Sequence, residues 1–163
     1  MNLLKKIDQD VSDTGQVSQS TIELARSMLD QNLQITPAIG AEFCGGRYVS
    51  TIRDVKTNAS YHLIYADSYH ECFDVSWYGA LTLINDGVDS NIGWVLPTRL
   101  EIYLLGINVP DSFDLDELYW TSSESTSTPN CAWAQRFLDG KQICISKNAK
   151  CRARAIRRVP IHT

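Results

Sequence analysis

The stretch Gly93-Trp94-Val95-Leu96-Pro97-Thr98-Arg99-Leu100-Glu101 contains a strong helix start. Thr98 and Glu101 have the spacing of a capping box, in which each side chain accepts a hydrogen bond from the other residue's backbone N–H. The residues that follow, through Leu105, are mainly apolar and supply a face to bury. We therefore predict a helix that begins after Thr98 and ends at Gly106.

Two further tryptophan phrases follow, Tyr119-Trp120-Thr121-Ser122-Ser123-Glu124 and Ala132-Trp133-Ala134-Gln135-Arg136-Phe137. They open a region of short aromatic and β-branched runs that predict strands. The predicted strands are Tyr119–Ser122, Ala132–Leu138, Gln142–Ser146 and Arg152–Val159. Asp139-Gly140 predicts a two-residue hairpin turn between the second and third.

The region before these phrases predicts a hairpin and one more helix. Arg47–Ile52 and Tyr61–Ala66 have strand composition and are joined by a polar loop. Ser76 can cap a helix that runs to about Asn85. Two helices followed by short antiparallel strands predict an α+β fold.

Residues 1–38 differ from the rest because they are polar and contain no aromatic residue. Ser20 and Glu23 predict a capping box, followed by Ile22, Ala25, Met28 and Leu29 at helical spacing. Leu3, Leu4, Ile7 and Val11 give a weaker amphipathic stretch. We predict a helical extension over 1–38 and a compact domain over 39–163. The helix is available to pack on its own domain or to form a homo-oligomer.

The net charge of −4 conceals an uneven distribution. Residues 1–135 carry 7 Lys and Arg against 18 Asp and Glu, whereas residues 136–163 carry 8 against Asp139 alone. A split of this kind indicates either a charged partner or neutralisation within one fold, and we favour the second. A pI of about 5.3 makes nucleic acid an unlikely partner.

The four late arginines, Arg152, Arg154, Arg157 and Arg158, fall within one predicted strand. Alternation along that strand turns at least one of them inward, where a guanidinium needs a carboxylate or carbonyl partner.

No motif predicts catalysis, a metal site or a cofactor. The five cysteines lack zinc-site spacing, and we expect them to be reduced, although a Cys131–Cys151 or Cys144–Cys151 bridge stays open. Cys72 with His70 or His62 would make a thiol–imidazole pair, but we predict a loop with a buried cysteine from Tyr65 to Phe73. The oxygen-rich stretches Asn85–Asn91 and Asp111–Glu117 lack EF-hand spacing.

Taken in order, these phrases resemble the domain family named after the C-terminal domain of a bacterial collagen-like adhesin. The resemblance covers about Ile39 to Val159. It rests on Gly45-Gly46-Arg47-Tyr48, Tyr61 to Ile64, Trp77, the three tryptophan phrases, Gly140, Arg154 and Arg157. The family is similar to C-type lectins in fold, and this chain is closest to its phage and prophage form. The framework residues that the resemblance implies are Trp94, Thr98, Glu101, Trp120, Glu124, Trp133 and Arg154. Because Glu101 and Glu124 lie in recurrent phrases of the family, the resemblance also implies that they are the partners of an inward arginine.

The resemblance implies a binding module rather than an enzyme, because this scaffold mostly carries recognition. We expect the tryptophans to pack in the core and the ligand to meet polar loops. The candidate loop residues are Asp111, Asp114, Asp116, Ser123, Ser125 and Asn130. The expected partner is a host protein, such as a defence factor to be inhibited, or a cell-surface glycan. The alternatives are a virion or tail-associated protein and an enzyme related to formylglycine generation.

The N-terminus lacks a signal peptide, and no apolar run is long enough to cross a membrane. We therefore expect the protein in the cytoplasm where it is made, which is the host cell if a phage encodes it, or in the virion.

Overall fold

The computed structural model describes Gln9, Val11 and residues 16–34, 36–87 and 93–161, without the side chains of residues 29–34, 69 and 85–87. The predicted stretch at Leu3, Leu4 and Ile7 lies outside the described residues. Contacts divide the chain into two compact units, and one of them is Pro37–Pro160. The other unit contains helix α1 (Gln19–Gln34). Helix α1 begins two residues before the predicted start, and Ser18 Oγ accepts a hydrogen bond from Thr21 N at 3.3 Å at its N-terminus.

Unit Pro37–Pro160 is α+β and contains a four-stranded and a five-stranded sheet. The first has the order β1 (Glu42–Phe43), β2 (Gly46–Arg53), β3 (Ser60–Tyr65), β9 (Ile156–Ile161). The predicted hairpin is confirmed, since β2 pairs with β3 in antiparallel register across the loop that ends at Ser60.

The second sheet contains the tryptophan phrases and has the order β4-β8-β5-β6-β7. Its strands are β4 (Glu71–Val75), β5 (Leu118–Glu124), β6 (Cys131–Arg136), β7 (Gln142–Ser146) and β8 (Cys151–Arg154). Strand β8 pairs parallel with β5, whereas the pairs β4–β8, β5–β6 and β6–β7 are antiparallel. The predicted loop over Tyr65–Phe73 is wrong at its end, because the residues from Glu71 onward form strand β4.

The predicted strand Arg152–Val159 is wrong in one respect, because it breaks at Ala155. Residues before the break pair in the five-stranded sheet, and residues after it pair in the four-stranded sheet. The Ala155 carbonyl accepts a hydrogen bond from Ala66 N, and Ile156 exchanges two hydrogen bonds with Val95. One segment therefore joins both sheets, so the alternation expected of a single strand does not run through it.

The β6–β7 hairpin is present, but its loop is longer than predicted. Five residues, 137–141, connect the strands rather than two, and Arg136 N donates to Lys141 O across this loop at 3.0 Å. Gly140 has φ +69°, a left-handed conformation that glycine adopts without strain.

The two predicted helices of this unit are confirmed as α2 (Trp77–Gly87) and α3 (Arg99–Asn108). Ser76 Oγ accepts from Gly79 N at 3.2 Å, and Thr98 and Glu101 form the full capping box. Gly106 does not end α3. A Cβ there would lie 2.9 Å from Gln135 Nε2, so this glycine lets the helix approach β6.

The core lies between α3 and the two sheets. Phe113 and Phe137 stack with their ring centroids 4.1 Å apart, and Tyr119 meets both rings edge-on. The apolar residues around them come from β2, β3, β9 and the inner face of α3: Val49, Ile52, Leu63, Tyr65, Ile102, Leu105, Val109 and Ile156.

All four tryptophans were expected in the core, and three of them, Trp77, Trp94 and Trp120, are buried. Trp77 Nε1 donates to Thr121 O, and Trp120 Nε1 donates to Val75 O. Trp94 lies against Gly46, where an added Cβ would be 2.8 Å from its ring.

Trp133 is only half-buried, and the Arg99 guanidinium covers its ring at 3.7 Å.

Glu101 is the most fully bonded carboxylate of this core and is 1% exposed. It accepts hydrogen bonds from Thr98 N, Thr98 Oγ1, Tyr61 Oη and, through both oxygens, Arg158. Burial alone would raise the pKa of Glu101, but the bonds from Arg158 and Thr98 outweigh it and lower the pKa.

Gly46→Ala tests the packing of Trp94. The new Cβ would lie 2.7 Å from the Tyr65 carbonyl oxygen, and backbone cannot move aside cheaply, so we expect a loss of about 1–3 kcal/mol in the free energy of unfolding. Gly106→Ala is the control, because its nearest neighbour is the movable end of Gln135. Urea unfolding compares the two variants, and an equal or larger loss for Gly106→Ala would contradict this account.

Glu101→Gln tests the buried carboxylate. We expect a loss of about 2 kcal/mol in unfolding free energy at neutral pH. Because the folded pKa lies below the ordinary value of 4.5, this contribution is present above pH 4.5 and disappears as the pH falls through the folded pKa. Urea unfolding should therefore show the two proteins converging in acid. Glu42→Gln is the control, since Glu42 is 87% exposed and its partner Arg47 is 41% exposed, so this variant should lose less than about 1 kcal/mol. A gap between wild type and Glu101→Gln that persists unchanged in acid would refute the assignment.

Candidate functional site

The predicted acidic loop, Asp111–Asp116, connects α3 with β5. Some of its polar groups bond to other residues of the chain. The carboxylate of Asp114 pairs with Arg152 at 2.6 Å, and Asp114 N donates to Tyr119 Oη. Asp111 and Asp116 are exposed. Two of the three aspartates therefore remain accessible to a ligand.

The predicted serine loop connects β5 with β6, but its candidate residue Ser123 lies within β5 itself. Ser125 Oγ accepts from Thr128 N at 3.1 Å, and Ser123 Oγ accepts from Arg99 N at 3.3 Å. Asn130 is exposed, and its carbonyl accepts from Lys147 N. This loop follows β5, whereas the acidic loop precedes it, so the seven residues of β5 separate the two loops by about 20 Å. The structure does not bring the predicted loops together.

The arginine cluster is bonded inside the chain. Arg154 is 5% exposed and binds Glu71 and the Ser112 carbonyl, and its guanidinium lies over the Phe113 ring. Arg152 also reaches Glu71, at 3.3 Å. The expected pairing of Glu101 with a late arginine is confirmed by Arg158.

Two partners differ from the sequence expectation. Glu124 pairs with Lys147 rather than with an arginine. Glu71 was missed because its segment lacks a strong strand pattern and contains a register shift between Cys72 and Val75. Glu71 also accepts from Tyr119 Oη at 2.6 Å. Burial and this bond raise the pKa of Tyr119 to about 12.

A polar cleft of about 300 Å³ lies beside Arg154. Its charged groups are already paired, Arg47 with Asp67 and Arg154 with Glu71. Tyr65 Oη and Ser112 Oγ also bond to each other, at 2.8 Å. The cleft is lined by Arg47, Tyr65, Asp67, Ser68, Ser112 and Arg154. Its charges are thus balanced without a ligand.

A more open groove, of about 440 Å³, lies between α3 and the start of β7. It is lined by Arg99, Leu100, Tyr103, Gly140 and Gln142. The large apolar residues Leu100, Tyr103 and Ile107 of α3 are 59%, 48% and 57% exposed. Their spacing of three and four residues places them on one face of the helix. We name this groove, together with the three exposed residues, the α3 surface. The sequence did not predict it, because the same helix also buries a face.

The Arg99 side chain shapes one end of the α3 surface. Its guanidinium stacks on Trp133, and its Nε donates to Gln142 Oε1 at 2.8 Å. The amide of Gln142 returns a bond to the Arg99 carbonyl and another to Gln135 Oε1. These bonds fix the groove wall before any partner arrives.

Four of the five thiols have a raised pKa, which disfavours the nucleophilic thiolate form. Burial raises the pKa of Cys44, Cys72 and Cys131, and it raises the pKa of Cys151 to about 11. All five cysteines are free. His62 lies in the four-stranded sheet, with Nδ1 3.1 Å from Thr51 Oγ1, whereas Cys72 lies in the other sheet. The structure therefore separates this thiol and imidazole.

Within the described residues, no group of three or more His, Cys, Asp or Glu is placed to hold a metal ion. The oxygen-rich stretch Asn85–Asn91 lies largely outside those residues. No helix in the described part of the chain has the length and apolar character to cross a membrane.

No model of a known protein family matches this chain, and no curated protein matches it significantly.

The raised thiol pKa values predict slow alkylation. At about pH 8, iodoacetamide should modify Cys151 of the folded protein far more slowly than Cys151 of the urea-unfolded chain, because the thiolate is the reacting form. Peptide mass spectrometry measures both rates. Rapid modification of folded Cys151 would show that a thiolate is available and would reopen an enzymatic function.

Proposed function

We propose that this chain is a non-catalytic binding module, with a C-type-lectin-like scaffold of the phage or prophage form, that recognises a host protein through the α3 surface. The observation that carries this proposal is the exposed apolar stripe of Leu100, Tyr103 and Ile107 beside a preformed groove. Exposed apolar residues that share one face next to a groove are typical of protein interaction sites.

The scaffold assignment has its own support. The order of motifs from Gly45 to Arg157 accompanies an α+β unit whose buried tryptophans tie strands and helices together. Arginines that would attract nucleic acid are bonded internally, and the buried thiols have raised pKa values. A protein target in the cytoplasm, such as a defence factor, fits a binding surface of this kind.

Recognition of a cell-surface glycan is the second candidate. Tyr103 is a half-exposed aromatic ring in the groove, and such rings can stack on sugars. Trp133 is less suited to this role because Arg99 already covers its ring.

The test is capture from bacterial lysate with the wild-type chain and Tyr103→Asp, quantified by mass spectrometry, beside a glycan array. We expect a protein that is enriched by the wild type and reduced at least tenfold by Tyr103→Asp, because a carboxylate in the groove opposes apolar contact. Val55→Asp is the matched control, since Val55 is 90% exposed in the β2–β3 loop. Equal capture by all three chains would contradict the site. Binding to glycans with no specific protein would favour the second candidate.

A further inference from the structure

Strand β7 is an edge strand of the five-stranded sheet. It pairs with β6 in five consecutive register positions, from Gln135↔Gln142 to Cys131↔Ser146, without a bulge. An edge strand of this regularity presents a straight row of backbone groups to the solvent.

The hydrogen bonds that flank the β6–β7 ladder identify which groups face outward. Arg136 N donates to Lys141 O, and Lys147 N donates to Asn130 O. Because bonded positions alternate along an antiparallel pair, Ile143 and Ile145 bond to β6, and the N–H and C=O of Gln142 and Cys144 point away from it. The described part of the chain offers those four groups no strand partner.

The other sheet edges carry features that oppose strand addition. Strand β1 has two residues, and β4 contains a register shift and Asp74 with φ +51°. Strand β9 carries Arg158 and Pro160. In contrast, Gln142–Ser146 contains neither a charged residue nor proline. Among the described edges, β7 is the one without such protection.

Depressions flank β7 on both of its faces. Gln142 lines the groove of the α3 surface, whereas Ile143 lines a pocket of about 190 Å³ with Leu118, Arg136, Lys141 and Asp116. Neighbouring residues of an added strand would alternate between these same faces. One side chain would therefore enter the groove beside Leu100 and Tyr103, and the next would enter the pocket beside Leu118.

The charges at this edge favour an acidic segment. Lys141 is exposed and makes no ion pair within the described residues, and Arg99 hydrogen-bonds to an amide rather than to a carboxylate. Asp139 is already paired with Arg136. Asp116 lines the same pocket as Lys141, but Lys141 and Arg99 together outweigh this one carboxylate, so a carboxylate in the occupant would meet net positive charge at the start of β7.

We propose that β7 binds an extended segment of the partner protein as a sixth strand, with apolar side chains on both faces and an acidic residue near Lys141. This mode rests on the proposed function, because it assigns the way in which the partner protein is held. Backbone bonds to Gln142 and Cys144 supply affinity, and the two depressions supply selectivity.

The test uses short random peptides displayed on phage and selected against the purified full chain. The selected peptides are then synthesised and titrated by fluorescence polarisation. Cys144→Pro removes the outward N–H while leaving the ladder to β6 intact, and Cys144→Ala changes the same side chain but keeps that N–H. We expect Cys144→Pro to bind at least tenfold more weakly than Cys144→Ala. Equal affinities would overturn the proposal.

Amide hydrogen exchange of the wild type gives a second measurement that does not depend on the folding of Cys144→Pro. We expect the peptide to slow exchange at Gln142 and Cys144 at least tenfold, because both N–H groups become hydrogen-bonded. Protection confined to α3 would overturn strand addition while leaving the proposed function intact. If exchange at these two N–H groups slows when the protein concentration is raised in the absence of peptide, the occupant of the edge is a second copy of this chain and not a segment of a partner protein. If Tyr103→Asp does not reduce capture of a host protein, the proposed function fails separately.

Discussion

The buried carboxylate of Glu101 is the constraint on which the arrangement of this fold depends. Removing a carboxylate from water costs several kcal/mol unless its oxygens are satisfied. Here the donors come from the start of α3, from Tyr61 in β3 and from Arg158 in β9. These three elements must therefore assemble together. Their assembly turns Ile102 and Leu105 inward and leaves Leu100 and Tyr103 on the outer face of the same helix.

The uneven charge of the chain is likewise neutralised by pairing carboxylates with cations that lie far away in the sequence. Cations after residue 136 pair with carboxylates that precede them, in the contacts Arg152–Asp114, Arg154–Glu71, Arg158–Glu101 and Lys147–Glu124. The expectation that the last strands neutralise earlier acidic segments is confirmed for these pairs. Lys141 is a cation of this region that makes no ion pair within the described residues. It lies at the start of the open edge of β7.

Local signals predicted the parts of the fold that depend on neighbouring residues. The capping box of Thr98 and Glu101, the cap at Ser76 and the β2–β3 hairpin all involve residues a few positions apart, and all are present. Sequence did not identify β4, because its register shift removes a simple alternation, or the role of Gly106, because Gln135 lies far along the chain. The break at Ala155 was missed for the same reason, since it reflects a change of sheet.

The residues of the candidate site can also be divided into those that local sequence signals predicted and those that depend on the tertiary structure. The amino-acid sequence sufficed for an α+β unit and for three of the four tryptophans as core residues, because capping and burial follow from residue type and spacing. It could not assign Glu71 to Arg154, since 83 positions separate them. Nor could it identify β7 as an edge, because a strand becomes an edge only when the order of strands in the sheet is known. That order leaves Gln142 and Cys144 with unpaired backbone groups beside two depressions, and these groups exist as a surface only in the folded protein.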